Sequence, residues 1–234
     1  MERLLCSRRE GSIFIIDGSE FKHLKALRLR EGERIEVFCE DKLFLAHISK
    51  ITNSYALCSV VEELPLLLPK PYVVLYQCIP TELSLMEEVI DRASQSGVFK
   101  LVPLFCKRGF HGKAQVQEKM ERWYRLSLTS FKQCKRPKSI QIEKPMELAD
   151  LYPREEASFV LDNFGGSLSI KEIDLSKESY GIVVGPEGGF SQEEVKLLKD
   201  RGFVPILLKP YIFRTEMAGA VATAIIMNIA NGYA

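Results

Sequence analysis

Up to residue 68 the chain breaks into short runs rich in β-branched and aromatic residues separated by turn formers; beyond it, apolar runs alternate with longer amphipathic stretches. The runs at 12–16, 34–39, 43–51 and 55–61, cut by pairs such as Glu40-Asp41 and Asn53-Ser54, predict strands, and 19–29 predicts one helix. Four or more short strands with a helix suggest a small closed or half-closed β-barrel, a shape common among nucleic-acid-binding domains. Pro65, Pro69 and Pro71 bracket Leu66-Leu67-Leu68 as a linker, which separates a domain over 1–68 from a second over 71–234. In the second domain, strands are expected at 72–79, 100–105, 158–161, 181–184 and 204–208. Helices at 83–96, 114–131, 192–201 and 215–228 fill the gaps, with Gly97 and Gly202 as stop signals. Strands alternating with helices predict an α/β sheet with mostly parallel strands.

Ligands of such sheets bind beyond the carboxyl ends of the strands. Three late loops leave strands there, at 162–166, 185–190 and 209–214. The second reads Gly185-Pro186-Glu187-Gly188-Gly189-Phe190 and runs into Ser191-Gln192-Glu193-Glu194, a capping-box signature in which Ser191 and Glu194 satisfy the first free amides of a helix. Three glycines around a proline allow a sharp turn and close backbone approach to a ligand. Glu187 argues against phosphate as that ligand, since a carboxylate in the cradle repels it; a neutral or cationic guest fits better, and an ordinary strand-turn-helix corner is the alternative. The third loop puts Arg214 at the start of the last helix, with Thr215 as a candidate cap. Positive charge is disfavoured at a helix N-terminus by about 0.3–1 kcal/mol, so its placement points to an anion to be gripped.

Composition narrows the class. A chain of 234 residues, 46% hydrophobic, can bury one large core or two smaller ones. The longest low-charge run, 217–230, is too short to span a bilayer, and residues 1–11 are too charged for a signal peptide, so a cytoplasmic, non-membrane protein is expected. Six dispersed cysteines (Cys6, Cys39, Cys58, Cys78, Cys106, Cys134) and three dispersed histidines suggest neither a disulfide framework nor a metal site; reduced, buried thiols are expected. The net charge of +1 conceals clusters: Lys22, His23, Lys25, Arg28 and Arg30; Lys132, Lys135, Arg136 and Lys138; and a looser group of Lys100, Lys107, Arg108 and Lys113. None of them contains an acid, so each could hold phosphates or simply be a solvated face.

The hexapeptide at 185–190 followed by Phe213-Arg214-Thr215-Glu216 resembles the knotted SPOUT methyltransferases that modify ribosomal RNA, most closely the uridine-N3 branch acting on the small subunit. The resemblance covers the whole chain. His23-Leu24, Leu27-Arg28-Leu29 and Gly32 look like that family's first-domain segment; Arg108, and Glu121-Arg122-Trp123 through Gln133 and Arg136, look like its middle motifs. It implies an N-terminal PUA-like barrel, a C-terminal trefoil-knotted domain, S-adenosylmethionine as cofactor without metal, a homodimer, and ribosomal RNA or the small ribosomal subunit as partner. It further implies cofactor contacts at Leu161, Gly185, Pro186, Glu187, Gly188, Gly189, Leu208, Lys209, Ile212 and Phe213, and RNA contacts at His23, Arg28, Arg30, Arg108, Arg122 and Arg136. Catalysis is assigned to Arg214; no residue identifies itself as the general base, and Glu216 is the candidate, with a helix-capping or structural role as its alternative. The cofactor agrees with the loop chemistry, because a sulfonium without phosphate tolerates Glu187.

Four places depart from the family pattern: Gln95-Ser96-Gly97-Val98 for its usual Glu-Leu-Gly-Val, Thr129 and Lys132 for its usual glutamates, Lys209 for a glycine, and Met217 for a threonine. A lysine at 209 is compatible with a cofactor when its side chain points outward. Two rivals follow. Asn163-Phe164-Gly165 hints at ribose 2′-O-methylation, but Ser169 stands where those enzymes have arginine; a non-catalytic RNA-binding assembly factor would keep the fold with a pocket spoiled at Lys209.

Overall fold

A computed structural model describes residues 1–162 and 168–232. They form two compact units, Met1–Leu68 with Lys132–Lys138, and Pro69–Phe131 with Ser139–Ala234.

The first unit is a six-stranded sheet rolled over one helix. Its strands are β1 (Arg3–Leu5), β2 (Arg8–Glu10), β3 (Ile13–Asp17), β4 (Arg34–Cys39), β5 (Lys42–Ile51) and β6 (Tyr55–Leu64), with α1 (Gly18–Ala26) after β3. The sheet order is β1-β4-β5-β6-β3-β2. Closure depends on two adjacent residues. The Cys6 amide donates to the Phe38 carbonyl on β4, and the Ser7 amide to the Ile15 carbonyl on β3, so the short segment that joins the edge strands β1 and β2 bonds to both of their neighbours and curls the sheet toward closure. Alternation along β4 turns Ile35, Val37 and Cys39 inward, where they meet Phe14, Ile16, Phe44, Ile48 and the α1 residues Phe21 and Leu24. The parallel register that places Leu5 opposite Phe38 puts Cys6 opposite Cys39, and these two form a disulfide with Cα atoms 5.3 Å apart. This corrects the expectation of reduced thiols: the pair is 33 residues apart and rests on strand β1, which the sequence pattern did not predict. Residues 132–138 join this unit through an ion pair of Lys132 with Glu20 at 2.5 Å, a bond from Lys135 Nζ to the Met1 carbonyl, and bonds from the Arg3 guanidinium to the Lys135 and Arg136 carbonyls.

The second unit contains β7 (Tyr72–Cys78), α2 (Leu83–Ser96), β8 (Lys100–Phe105), α3 (Lys113–Gln133), β9 (Gln141–Ile142), β10 (Met146–Glu147), β11 (Ala157–Leu161), β12 (Leu168–Ser169), β13 (Ser179–Val184), α4 (Gln192–Asp200), β14 (Val204–Leu207) and α5 (Thr215–Ala230). Its sheet runs β10-β8-β7-β13-β11-β14-β12, with β9 on β8, and every pairing is parallel. Both faces are covered, so the central strands read as nearly unbroken buried runs. One face, with Val73, Leu75 and Ile182, packs with residues of α2 and α5; the other, with Val74, Tyr76 and Val183, packs with Leu198 of α4 and Phe203. α5 comes close to β7 because Gly219 carries no side chain: a Cβ there would stand 2.6 Å from a Leu75 methyl. Among the described residues no helix is long and apolar enough to cross a membrane, and no cluster of three metal-ligating side chains occurs.

Candidate active site

At the carboxyl ends of β11, β13 and β14 the second unit encloses a cavity of about 600 Å³. Its walls include Leu161 at the end of β11 and Asp162 after it, Val184 at the end of β13 and the loop through Phe190, and Leu208, Ile212, Phe213 and Arg214 after β14, with Thr215, Glu216 and Ala218 from α5. The strand ends fix where these loops begin, and three separate interactions hold the glycine loop of β13. On one side the Glu187 carboxylate accepts from the Thr81 amide at 3.0 Å and from the Thr81 hydroxyl at 2.8 Å. Partial burial pushes the Glu187 carboxyl up, but the hydrogen bonds from Thr81 and nearby amides outweigh it and leave the group below its usual range. Across the loop, Arg108 Nη1 donates to the Gly188 carbonyl at 2.9 Å and to the Phe190 carbonyl at 3.3 Å. At the start of the loop, the Thr215 hydroxyl donates to the Gly185 carbonyl at 2.5 Å.

The capping box is present: Glu194 N donates to Ser191 Oγ and Ser191 N to Glu194 Oε2. Glu194 also takes the Lys107 amide at 2.7 Å, tying the start of α4 to the loop after β8. Gly189 has φ +64°, a conformation that makes glycine necessary there; at Gly185 a Cβ would press 3.2 Å from the Phe190 ring.

Arg214, the N-cap residue of α5, is exposed, lines the cavity and makes no side-chain cap bond. Thr215, proposed as the cap, is instead the first helical residue. Its hydroxyl is buried between Gly185 and Gln77 and is unavailable to the free amides of α5. Glu216 is 7% exposed, and its carboxylate lies 3.6 Å from Arg92 Nη1, while Arg92 Nη2 binds Glu88 at 2.5 Å. Glu216 therefore faces a cation of α2.

Of the ten residues expected to contact cofactor, nine line the cavity: Leu161, Gly185, Pro186, Glu187, Gly188, Gly189, Leu208, Ile212 and Phe213. Lys209 is exposed and lies outside the lining. Leu85, Asp162, Val184 and Ala218 line it without having been expected at the cofactor, and Phe190, which closes the hexapeptide, joins them. Asp162 belongs to a loop flagged in the sequence, but Leu85 comes from α2, far off in sequence, and only folding brings it there. Asn163-Phe164-Gly165, the ribose-methylation hint, lies outside the described residues.

The six residues expected on RNA have different settings. His23, Arg28 and Arg30 are exposed on the first unit, together with Lys22 and Lys25. Arg108 lines the cavity. Arg122 is exposed but engaged bidentately by Glu87 at 2.6 and 2.8 Å, and that hydrogen-bonded pairing lowers the Glu87 carboxyl and raises the guanidinium. Arg136 is only partly accessible, its Nε bonded to the Lys138 carbonyl, and burial pulls its guanidinium down.

The cavity suits a guest with an apolar body and few polar groups, being walled by Leu161, Leu208, Ile212 and Phe213 and by loop backbone, within the usual 300–1,000 Å³ of small-molecule sites. Residues 68–227 match the model of an RNA methyltransferase domain, and residues 16–61 that of an RNA methyltransferase PUA domain. The ribosomal RNA small subunit methyltransferase E of Aquifex aeolicus is 35% identical over 220 residues, spanning 94% of this chain and 96% of that protein. Its namesake from Helicobacter pylori is 26% identical over 87% of this chain and 89% of its own length. The crystal structure of the Neisseria gonorrhoeae namesake bound to S-adenosyl methionine superposes with a TM-score of 0.83 over 98% of both chains at 21% identity, which gives the fold. With an RNA methyltransferase domain model covering most of its length and a full-length relative above 30% identity, the chain belongs to the ribosomal RNA small subunit methyltransferase E family.

Proposed function

We propose that this protein methylates N3 of a uridine in small-subunit ribosomal RNA, with S-adenosylmethionine as donor, as a cytoplasmic homodimer. The observation that carries the reading is Arg214: an exposed guanidinium that makes no side-chain cap bond and has no ion-pair partner among the described residues, on the wall of a glycine-rich cavity at the sheet's carboxyl end. The donor supplies a methyl group on a sulfonium and carries no phosphate. Leu161, Leu208, Ile212 and Phe213 offer apolar contact for it, and the backbone of 185–190 offers the few polar groups that fix orientation.

Transfer would form an N–C bond at N3 as the methyl–sulfonium bond of the donor breaks and S-adenosylhomocysteine leaves as a neutral thioether, with the N3 proton passing to solvent. As that proton leaves, charge grows on the neighbouring uracil oxygens, and Arg214 is assigned to that charge or to the adjacent phosphate. Glu216 is assigned to orienting Arg92 between α2 and α5, since its carboxylate already faces that cation. Glu187 fixes the glycine loop through Thr81. The exposed cations Lys22, His23, Lys25, Arg28 and Arg30 supply phosphate contacts on the first unit. Tyr211 and Ile212, 79% and 71% exposed, offer apolar surface for a second copy. Base-directed chemistry needs the target atom out of its stack, so an unpaired loop is the expected substrate.

The test is mass spectrometry of small-subunit rRNA nucleosides from cells lacking the protein, complemented with wild type or Arg214→Ala. Loss of 3-methyluridine, restored by wild type and not by the variant, supports the reading. A different missing nucleoside replaces the product, and an unchanged profile overturns the activity.

A further inference from the structure

A polar residue occupies an apolar face of the sheet in the second unit. Along β7, Val73 and Leu75 face the core shared with α2 and α5, and the next residue on that side is Gln77, fully buried. Its Nε2 donates to the Cys78 carbonyl at 3.0 Å and to Thr215 Oγ1 at 3.0 Å, which uses both of its protons. The Thr215 hydroxyl, accepting from Gln77, gives its own proton to the Gly185 carbonyl at 2.5 Å. The order of donors is therefore fixed from end to end. Gln77 Oε1, by contrast, is buried with no partner among the described residues. A buried acceptor without a donor is unfavourable, and where a fold keeps one, its other contacts call for an explanation.

Gly185 is the first residue of a loop with three glycines, so its backbone takes its position from the hydrogen bonds that hold it. Thr215 is the residue after Arg214 and the first turn of the helix that forms the opposite wall. One hydroxyl thus joins the wall of 185–190 to the wall that carries Arg214. We propose that Gln77 and Thr215 are positioning residues, which set the Gly185 peptide and hold the two walls of the cavity at the spacing the methyl donor needs. Neither residue is assigned to the reacting atoms. The inference rests on the cavity being the S-adenosylmethionine site.

Without the relay the walls sample several spacings, and donor affinity falls by the fraction of time the competent one is populated. The test uses the full chain in four forms: wild type, Thr215→Val, Thr215→Ser and Gln77→Met. Each is checked for folding by circular dichroism and thermal melting, then titrated with S-adenosylmethionine by calorimetry and assayed for methyl transfer to rRNA. Thr215→Val and Gln77→Met should weaken donor binding and raise its KM by about tenfold while kcat at saturating donor stays within about threefold, because binding restores the competent spacing. Thr215→Ser keeps the hydroxyl and should bind within about twofold of wild type. A merely structural role would lower the melting temperature and leave affinity in the folded protein unchanged. Folded Thr215→Val with wild-type affinity overturns the proposal; if that variant fails to fold, Gln77→Met is held to the same criterion, and failure of both to fold makes the relay a fold determinant and overturns it too. Wild type that does not bind the donor overturns the cofactor assignment itself, a result distinct from any failure among the variants.

Discussion

Replacing Arg214 with alanine should separate catalysis from stability. Removing one preorganised donor from a developing oxyanion typically lowers kcat by 10²–10³, about 2.7–4 kcal/mol. Little of opposite sign is expected in the fold. Arg214 is exposed and makes no side-chain cap bond, so its removal leaves no buried group unpaired. It also relieves a positive charge at the N-terminus of α5, worth about 0.3–1 kcal/mol. At about 2–4 °C per kcal/mol for a chain of this size, the melting temperature should stay level or rise by roughly 1–3 °C. The assay is methyl transfer to small-subunit rRNA at saturating donor, with calorimetric donor affinity and thermal melting on the same preparations. Arg214→Lys should recover only part of the loss, because an ammonium keeps the charge without the planar fork. A kcat within about threefold of wild type would remove Arg214 from the chemistry. A melting temperature lowered by more than about 3 °C would make it structural and the activity loss uninformative.

The Glu187 carboxyl is held below its usual range in the folded protein, so its contribution to stability is present above the ordinary carboxyl pKa and is lost as pH falls through the lowered value. Melts of wild type and Glu187→Gln from pH 7 to pH 3 should therefore converge toward the acid end; a gap that stays constant would refute that linkage. Ser191→Ala removes the cap of α4 and should cost about 1 kcal/mol in denaturant unfolding, and an unchanged midpoint would make the capping box dispensable. Substituting Lys25, Arg28 and Arg30 together by alanine should flatten the salt dependence of rRNA binding, by about 0.7 in the log–log slope for each single-strand phosphate contact removed; an unaltered slope would exclude that surface. Arg136→Ala should chiefly lower stability, given the burial of the guanidinium, and a selective loss of RNA affinity in a protein that melts normally would return it to the RNA surface.

The recurring elements could be read in advance where local forces suffice. The strands over 34–39 and 100–105 and the helix over 83–96 occupy the expected residues, because burial of both sheet faces, β-branched runs and glycine stops are local signals. The capping box is equally local, two side chains and two amides within four residues. Most of the expected cofactor contacts line one cavity because loops that leave the carboxyl ends of parallel strands gather at one end of the sheet; the strand order itself was not legible in the sequence. The short strands β1 and β2 escaped notice: three residues carry too little pattern, and their pairing with β4 and β3 is settled by the curl of the whole sheet.

The chain by itself determined the element order, the glycine loop with its acidic residue, the arginine of the last loop and the basic segment at 22–30, since each depends on neighbours within a few residues. Only the tertiary structure decided how those groups are used. It bonded Cys6 to Cys39, drew Arg136 into the first unit, turned Glu187 to Thr81, set Glu216 against Arg92 and placed Thr215 between Gln77 and Gly185. Each of these assignments depends on a partner distant in sequence. A side chain's charge and shape are written in the chain, but what it binds is chosen by whatever the folded backbone brings within about 3 Å of it.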